Sequence, residues 1–359
     1  MKTLKYSIFL WICFSLLFVT HKAKAFEEVT KKISEKYQVS SSDKLDINNR
    51  YGKVDIYTWD KNEITVEITM KAWASSAGRA QDELDRISVK YGKSGNFISF
   101  ETQIAGNNVN INDSRGFEIN YVIKMPKSNP LKLSNKYGAA FLDNFSGDLE
   151  LSVRYGKLRT SKLTGSSKNI EIAYGGIDSE EIQKGRLKIS YSDAKIRNAG
   201  TIDLDNAYGK IAFDKVGTLQ SDIRYGELRV EESAGSISGK VSYSGVRVRQ
   251  LTKSFSMEVR YGGSFSLDRI AKGFEKIELE GGYTSFDLTF DSGSTFDFNV
   301  NTSYGSFKNG LEGAEINKQI ESNNSKEYEG YVGKKGSGAS VNVSTKYGSV
   351  KFSVNRATK

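Results

Sequence analysis

The sequence predicts an all-β fold, a parallel β-helix or β-solenoid of short stacked rungs, with a small α/β capping insert toward its N-terminal end. Three observations predict it. A Tyr followed by Gly, Ser or Thr recurs at nearly constant spacing. Apolar residues keep step with each tyrosine. Outward positions largely alternate in charge from one repeat to the next.

The regular tyrosines are Tyr137, Tyr155, Tyr174, Tyr191, Tyr208, Tyr225, Tyr243, Tyr261, Tyr283 and Tyr304, at intervals of 17 to 22 residues. Tyr51, Tyr91 and Tyr347 are further copies toward the ends. With the tyrosine as position 0, apolar residues favour −4, −2, +3, +5 and +8. Around Tyr191 these are Leu187, Ile189, Ala194, Ile196 and Ala199; around Tyr155, Leu151, Val153, Leu158, Thr160 and Leu163. Around Tyr51 the same positions hold Ile47, Asn49, Val54, Ile56 and Trp59. Alternation on both sides of the tyrosine predicts two half-buried strands per repeat with a corner at Tyr-Gly. The parity break across the corner suits a glycine in a conformation closed to other residues. After Tyr261 the pattern slips by one, to Phe265, Leu267 and Ile270, and Gly263 supplies the extra residue.

A unit this short buries its apolar edge only against its neighbours, so the units must stack. A hairpin meander or an up-and-down barrel would need two different turns per pair of strands. The single recurring corner favours coiling. Positions +4 and +6 give a second test. They read Asp178 and Glu180, Lys195 and Arg197, Asp214, Arg229 and Glu231, Arg247 and Arg249, then Asp268. Parallel stacking at ~4.8 Å would set opposite charges over each other. Each exposed pair contributes only ~0.2–1 kcal/mol, so the ladder bears on register more than on stability. Nine steps from Tyr137 to Tyr304 would span roughly 43 Å.

Along the chain, Met1–Ala25 reads as a secretory signal peptide: Lys2 and Lys5, an apolar run from Ile8 to Val19, then Ala23-Lys24-Ala25. The run is short of the ~20 residues that span a bilayer. Residues 26–44 are a polar lead-in and 45–59 a first rung. Ile64, Val66, Ile68 and Met70 alternate as a strand. Ser75 and Ser76 can cap a short helix carrying Ala80, Leu84 and Ile87. Strands near 96–104 and 118–125 complete an insert that covers the N-terminal end, so 26–130 forms one unit. The β-solenoid runs over 131–359, with a long polar loop at 311–340 and the final rung at 341–354.

Composition narrows the function. The only cysteine, Cys13, and the only histidine, His21, lie in the signal segment. The remainder lacks thiol nucleophiles, disulfides, histidine bases and the usual zinc ligands. The formal charge is +9, and the four lysines of that segment have no acid beside them, leaving +5 for the rest. The basic residues are dispersed, without the stripe that a nucleic acid needs. No cofactor is called for, and no later stretch is apolar enough to span a membrane.

The segments Asn49-Arg50-Tyr51-Gly52-Lys53-Val54-Asp55-Ile56, Ile119-Asn120-Tyr121-Val122-Ile123-Lys124-Met125-Pro126 and Leu133-Ser134-Asn135-Lys136-Tyr137-Gly138 resemble the bacterial putative-adhesin family of β-strand-repeat domains of unknown function. The resemblance covers nearly the whole chain after residue 25. It implies a β-helical fold and a cell-envelope location, and it carries over no catalytic or binding residue.

Two features are candidate sites. The tyrosine column reads either as an aromatic platform for sugar rings or as a stack at the corner. Its parity matches the inward positions and favours an internal stack with hydroxyls reaching solvent or backbone. On the outward face at −3, Asp205 and Asp222 are neighbouring like charges with Arg224 beside them. Two carboxylates ~5 Å apart would suit a retaining glycosidase or calcium. Lys188 and Lys240 on either side make a solvated face the simpler reading. The run Gly333–Gly338 lacks the ending of a phosphate loop and reads as a connector. The expected function is a non-enzymatic envelope scaffold, exported to the periplasm, outer surface or medium, with a protein or glycan ligand. A periplasmic accessory or sensor domain and a polysaccharide-degrading β-helix enzyme are the alternatives.

Overall fold

The computed structural model describes residues 26–106, 111–112 and 114–355. The signal-peptide reading of Met1–Ala25, with Cys13 and His21, lies outside the described residues. Within them the chain is all-β, with 27 strands and one helix.

The middle of the chain pairs in parallel with itself, one repeat at a time. Leu149–Arg154 lies in register between Leu131–Lys136 and Lys168–Ala173. Gly176–Ser190, Asp193–Ala207, Lys210–Arg224 and Glu227–Ser242 then run side by side along nearly their whole length. The register shifts by one between Phe213 and Lys215, where Glu227–Ser242 carries an extra residue. That bulge is why Tyr225 and Tyr243 are 18 apart while the three preceding intervals are 17.

The inward positions form a continuous core. Leu187, Ile189, Ala194, Ile196 and Ala199 are buried, as are Leu151, Val153, Leu158, Thr160 and Leu163. Each aliphatic side chain removed from water contributes about 1.5–3 kcal/mol. A further inward column at −6 holds Leu149, Ile202, Leu219, Ile237 and Phe255. Lys168 occupies one of its places. It is buried, and its ammonium donates to the carbonyls of Gly147 at 2.7 Å and Ser146 at 3.4 Å and to the Ser166 hydroxyl at 3.3 Å.

Both ends depart from the sequence reading. Residues 26–44 are no mere lead-in: Glu27–Gln38 is a strand, antiparallel to Glu63–Ala74, which lies antiparallel on Gly116–Pro126. Alternating side chains in it, Val29, Ile33 and Tyr37, pack against the core, and a polar average conceals that alternation. The helix is Ala77–Asp85, capped by Ser76, which accepts from the Arg79 amide at 3.5 Å. Ile87 begins the next strand rather than extending the helix face. Tyr91 lies within that strand, stacked on Phe100 at 5.5 Å, and is no corner.

At the other end, the presumed polar loop 311–340 contains an antiparallel hairpin, Ala314–Glu321 with Ser325–Val332. Its second strand lies antiparallel on Phe296–Ser303. The segment expected as the final rung is not terminal. Ser340–Lys346 pairs in parallel with Lys276–Gly282 on one side and with Asp297–Ser303 on the other. It is threaded between the repeats of Tyr283 and Tyr304. The hairpin already occupies the outer edge of Phe296–Ser303, so the inner edge is where a last strand finds partners on both sides. An open outer edge would invite pairing with other chains.

Candidate functional site: an exterior tyrosine ladder

Each corner tyrosine has a left-handed backbone. Tyr51, Tyr137, Tyr155, Tyr174, Tyr191, Tyr208, Tyr225, Tyr243, Tyr261, Tyr283, Tyr304 and Tyr347 have φ between 49° and 60°. They are the only non-glycine residues with positive φ among the described residues. The sequence suggested that the glycine would hold this conformation. The structure gives it to the tyrosine, and the glycine answers a different need. A Cβ on Gly138 would lie 1.8 Å from the Gly52 carbonyl oxygen, and one on Gly156 would lie 2.0 Å from that of Gly138. At these two corners the backbone of the preceding repeat approaches too closely for a Cβ.

Where Ser192 or Ser244 replaces the glycine, its hydroxyl accepts from the amide of the preceding corner, Gly175 at 2.9 Å or Gly226 at 2.8 Å. Asparagines at −2 also fasten corners from inside. Asn135 donates to the carbonyls of Gly52, Gly138 and Ala139, and Asn206 donates to that of Gly209.

The tyrosine rings stack on one another outside the core. Eleven successive pairs have centroids 4.7–5.0 Å apart and planes within 20°. The order in space is the order in sequence except at the end, where it runs Tyr283, Tyr347, Tyr304. Tyr137 and Tyr304 are therefore ten steps apart, not nine. Tyr51 is half-buried and the other eleven are 40–54% exposed. The expected internal stack is corrected: left-handed φ turns the Cβ away from the alternation of the flanking strands, so parity does not predict the ring's side. A stacked pair contributes ~0.5–1.5 kcal/mol, close to the roughly 1–2 kcal/mol that a left-handed L-residue costs. The column thus sets corner geometry more than it adds net stability.

The ring faces are occupied by one another. Phe117 meets Tyr51 edge-on at 5.6 Å, and Asn324 donates to the Tyr304 hydroxyl at 3.2 Å. Of the twelve ladder hydroxyls, only that of Tyr304 has a partner among the described residues. What the ladder offers outward is a row of ring edges and free phenols, not open faces. Tyr121, outside the ladder, is fully buried beside its N-terminal end. Burial pushes its phenol up to about 12, opposed by its hydrogen bond with Thr102. Thr102 also donates to Asn49 at 2.8 Å.

Asp205 and Asp222 are register partners on the open outward face. Arg224 bridges them, at 2.7 Å from Asp205 and 3.5 Å from Asp222. All three are well exposed. Along the corner's other flank, Arg197 pairs with Asp178 at 3.6 Å and Arg247 with Asp268 at 2.7 Å. Arg229 faces Arg247 in register and takes Glu227 of its own repeat instead. No group of three or more His, Cys, Asp or Glu among the described residues is arranged to hold a metal. No described helix is long and apolar enough to cross a membrane.

No family model matches the chain, and no curated protein matches it. Solved structures do. A Bacteroides fragilis protein described as a putative adhesin is 13% identical with TM-score 0.35, over 69% of this chain and 97% of its own. A Parabacteroides distasonis protein described as a putative adhesin is 12% identical with TM-score 0.30, over 90% and 97%. A Clostridium sporogenes protein described as a putative cell adhesion protein is 12% identical with TM-score 0.19, over 90% and 100%. The chain's structural neighbours include proteins described as putative adhesins, the family its own motifs resemble.

Proposed function

We propose that this protein is a non-enzymatic cell-envelope scaffold, a β-solenoid that holds a long, rigid surface for binding. The observation that carries the reading is the exterior ladder of twelve tyrosines. A contiguous row of half-exposed aromatics is costly to leave in water and marks an interaction surface. Repeat-by-repeat parallel pairing supports the solenoid, because each unit is satisfied only by its neighbours. The signal-like Met1–Ala25 supports export.

The polysaccharide-degrading alternative would place its acids at Asp205 and Asp222. A catalytic pair needs one carboxyl shifted by burial or by an uncompensated like charge. Here both are exposed and share Arg224, which favours the scaffold.

Protease shaving of intact cells, followed by detection of the 26–359 product, tests the location. Cleavage on intact cells supports a surface scaffold. Protection until the envelope is breached moves the protein to the periplasmic accessory or sensor reading. Glycan turnover by the parent that disappears in the Asp205→Asn, Asp222→Asn double variant would overturn the non-enzymatic assignment.

A further inference from the structure

A groove follows the tyrosine ladder on the side of the corner glycines. One stretch, about 360 Å³, is lined by Lys157, Gly175, Gly176, Asp193 and Lys210. The next, about 650 Å³, is lined by Asp193, Lys210, Tyr225, Gly226, Tyr243 and Gly263. Asp193 and Lys210 belong to both, so the groove is continuous from the repeat of Tyr155 to that of Tyr261. A hollow of about 820 Å³ repeats the arrangement beside Tyr51 and Tyr137.

We propose that this groove binds a linear, uncharged polysaccharide laid along the ladder, one sugar to a repeat. The proposal deepens the surface-binding reading above and rests on it.

The ligand class follows from what the groove has left to offer. The backbone amides and carbonyls of the flanking strands are spent on the parallel ladders between repeats. A peptide adding itself as a strand needs a free backbone edge, and the groove presents none. The remaining groups are phenol hydroxyls, ring edges and polar side chains. Tyr225 and Tyr243 line the groove, and their hydroxyls have no partner among the described residues. Such groups match the hydroxyls and C–H edges of a sugar chain.

Charge points the same way. Acidic Asp178, Asp193 and Glu227 stand against basic Lys157, Arg159, Lys195 and Lys210 along the lining. Near-balance gives no preference for a polyanion or polycation. The third argument is spacing. The rings repeat at 4.7–5.0 Å, close to the advance per sugar of an extended β-1,4-linked hexose chain. Contact is edge-on, because the ring faces are already stacked on each other.

The probe is an uncharged β-1,4-linked glucose hexamer, titrated calorimetrically into the purified protein. Two variants change the groove without disturbing the corner. Gly263 has an ordinary φ, and a Cβ there would find its nearest atom at 3.7 Å, so Gly263→Gln fills the groove and leaves the backbone in place. Tyr225→Phe with Tyr243→Phe keeps both rings and removes two free hydroxyls. The parent should bind the hexamer saturably. The double Phe variant should bind roughly tenfold more weakly, and Gly263→Gln at least as weakly, with melting unchanged in both.

The proposal is overturned if the parent binds no hexamer or binds a uronic-acid hexamer as tightly. It is also overturned if both variants bind like the parent. If the hexamer fails while shaving finds the protein on the cell surface, the groove assignment falls and the scaffold reading stands.

Discussion

Between Tyr155 and Tyr261, each repeat has as its neighbours in space the repeats before and after it in sequence. At the two ends the neighbour in space is distant in sequence. Lys44–Arg50 lies between Phe97–Glu101 and Leu131–Lys136, and Ser340–Lys346 lies between two repeats that precede it. The middle needs only local periodicity and one corner geometry. The ends must also deal with an unpaired edge, and each does so with antiparallel strands: Glu27–Gln38 at one end and the hairpin Ala314–Val332 at the other. The order of a repeat array is therefore uniform only where a strand has identical needs on both sides.

The sharpest test of this contrast places one charge in each region. Ile189 is fully buried in the middle, whereas Ile316 on the end hairpin is exposed. Ile189→Asp should lower stability by at least about 4 kcal/mol, through an unpaired buried charge. Ile316→Asp should stay within about 0.5 kcal/mol. Chemical denaturation of both variants measures the difference, and equal losses would place the hairpin inside the cooperative core.

A smaller effect separates two glycines of one groove. A Cβ on Gly209 would lie 1.9 Å from the Ser192 carbonyl oxygen, while one on Gly263 meets nothing nearer than 3.7 Å. Gly209→Ala should cost about 1–3 kcal/mol, through forced backbone shifts. Gly263→Ala should be close to neutral. Thermal melts distinguish them.

The C-terminal end should also respond to pH. Arg269 makes two short hydrogen bonds to Asp291, at 2.8 and 2.9 Å, and holds its carboxyl below the usual range against partial burial. Asn355 donates to the same carboxylate at 3.0 Å, tying down the final strand, Val350–Asn355. Above the unfolded carboxylate value, near 3.9, this contribution is fully present. As pH falls below that value the unfolded chain takes up the proton first, and stability is lost progressively through the lowered folded value. Asp291→Asn should flatten that acid slope, read from denaturation midpoints between about pH 5 and pH 2. A slope unchanged by the substitution would remove Asp291 from the account.

The smallest effect belongs to the outward face. Replacing Asp205 and Asp222 together by Asn breaks two exposed ion pairs with Arg224 and should change stability by no more than about 1 kcal/mol. A larger loss, read by denaturant titration, would mean that face contributes to register.

The inward residues were legible because alternation is a local property. Leu187, Ile189 and Ala194 are named by their distance from a tyrosine, and parallel pairing puts them in the core; Trp59, named the same way in the first repeat, is only half-buried. Lys168 escaped that pattern. Nothing local distinguishes it from a surface lysine, and its burial depends on carbonyls of the preceding repeat. The tyrosines themselves were legible as a column but not as an exterior one, since their side follows from φ and not from parity. Asp205 and Asp222 were found as neighbours from the interval alone, while the hand that Arg224 lays on both needed the structure.

The sequence by itself determined the repeat, the place of its corner and its core face, because each is set by contacts within a repeat or between adjacent repeats. Tertiary structure alone decided that the last repeat enters between those of Tyr283 and Tyr304, that a hairpin closes the end, and that the tyrosines form a ladder in water. Those outcomes depend on which edge remains unpaired once the rest has folded, and an unpaired edge is a property of the assembled sheet, not of any segment within it.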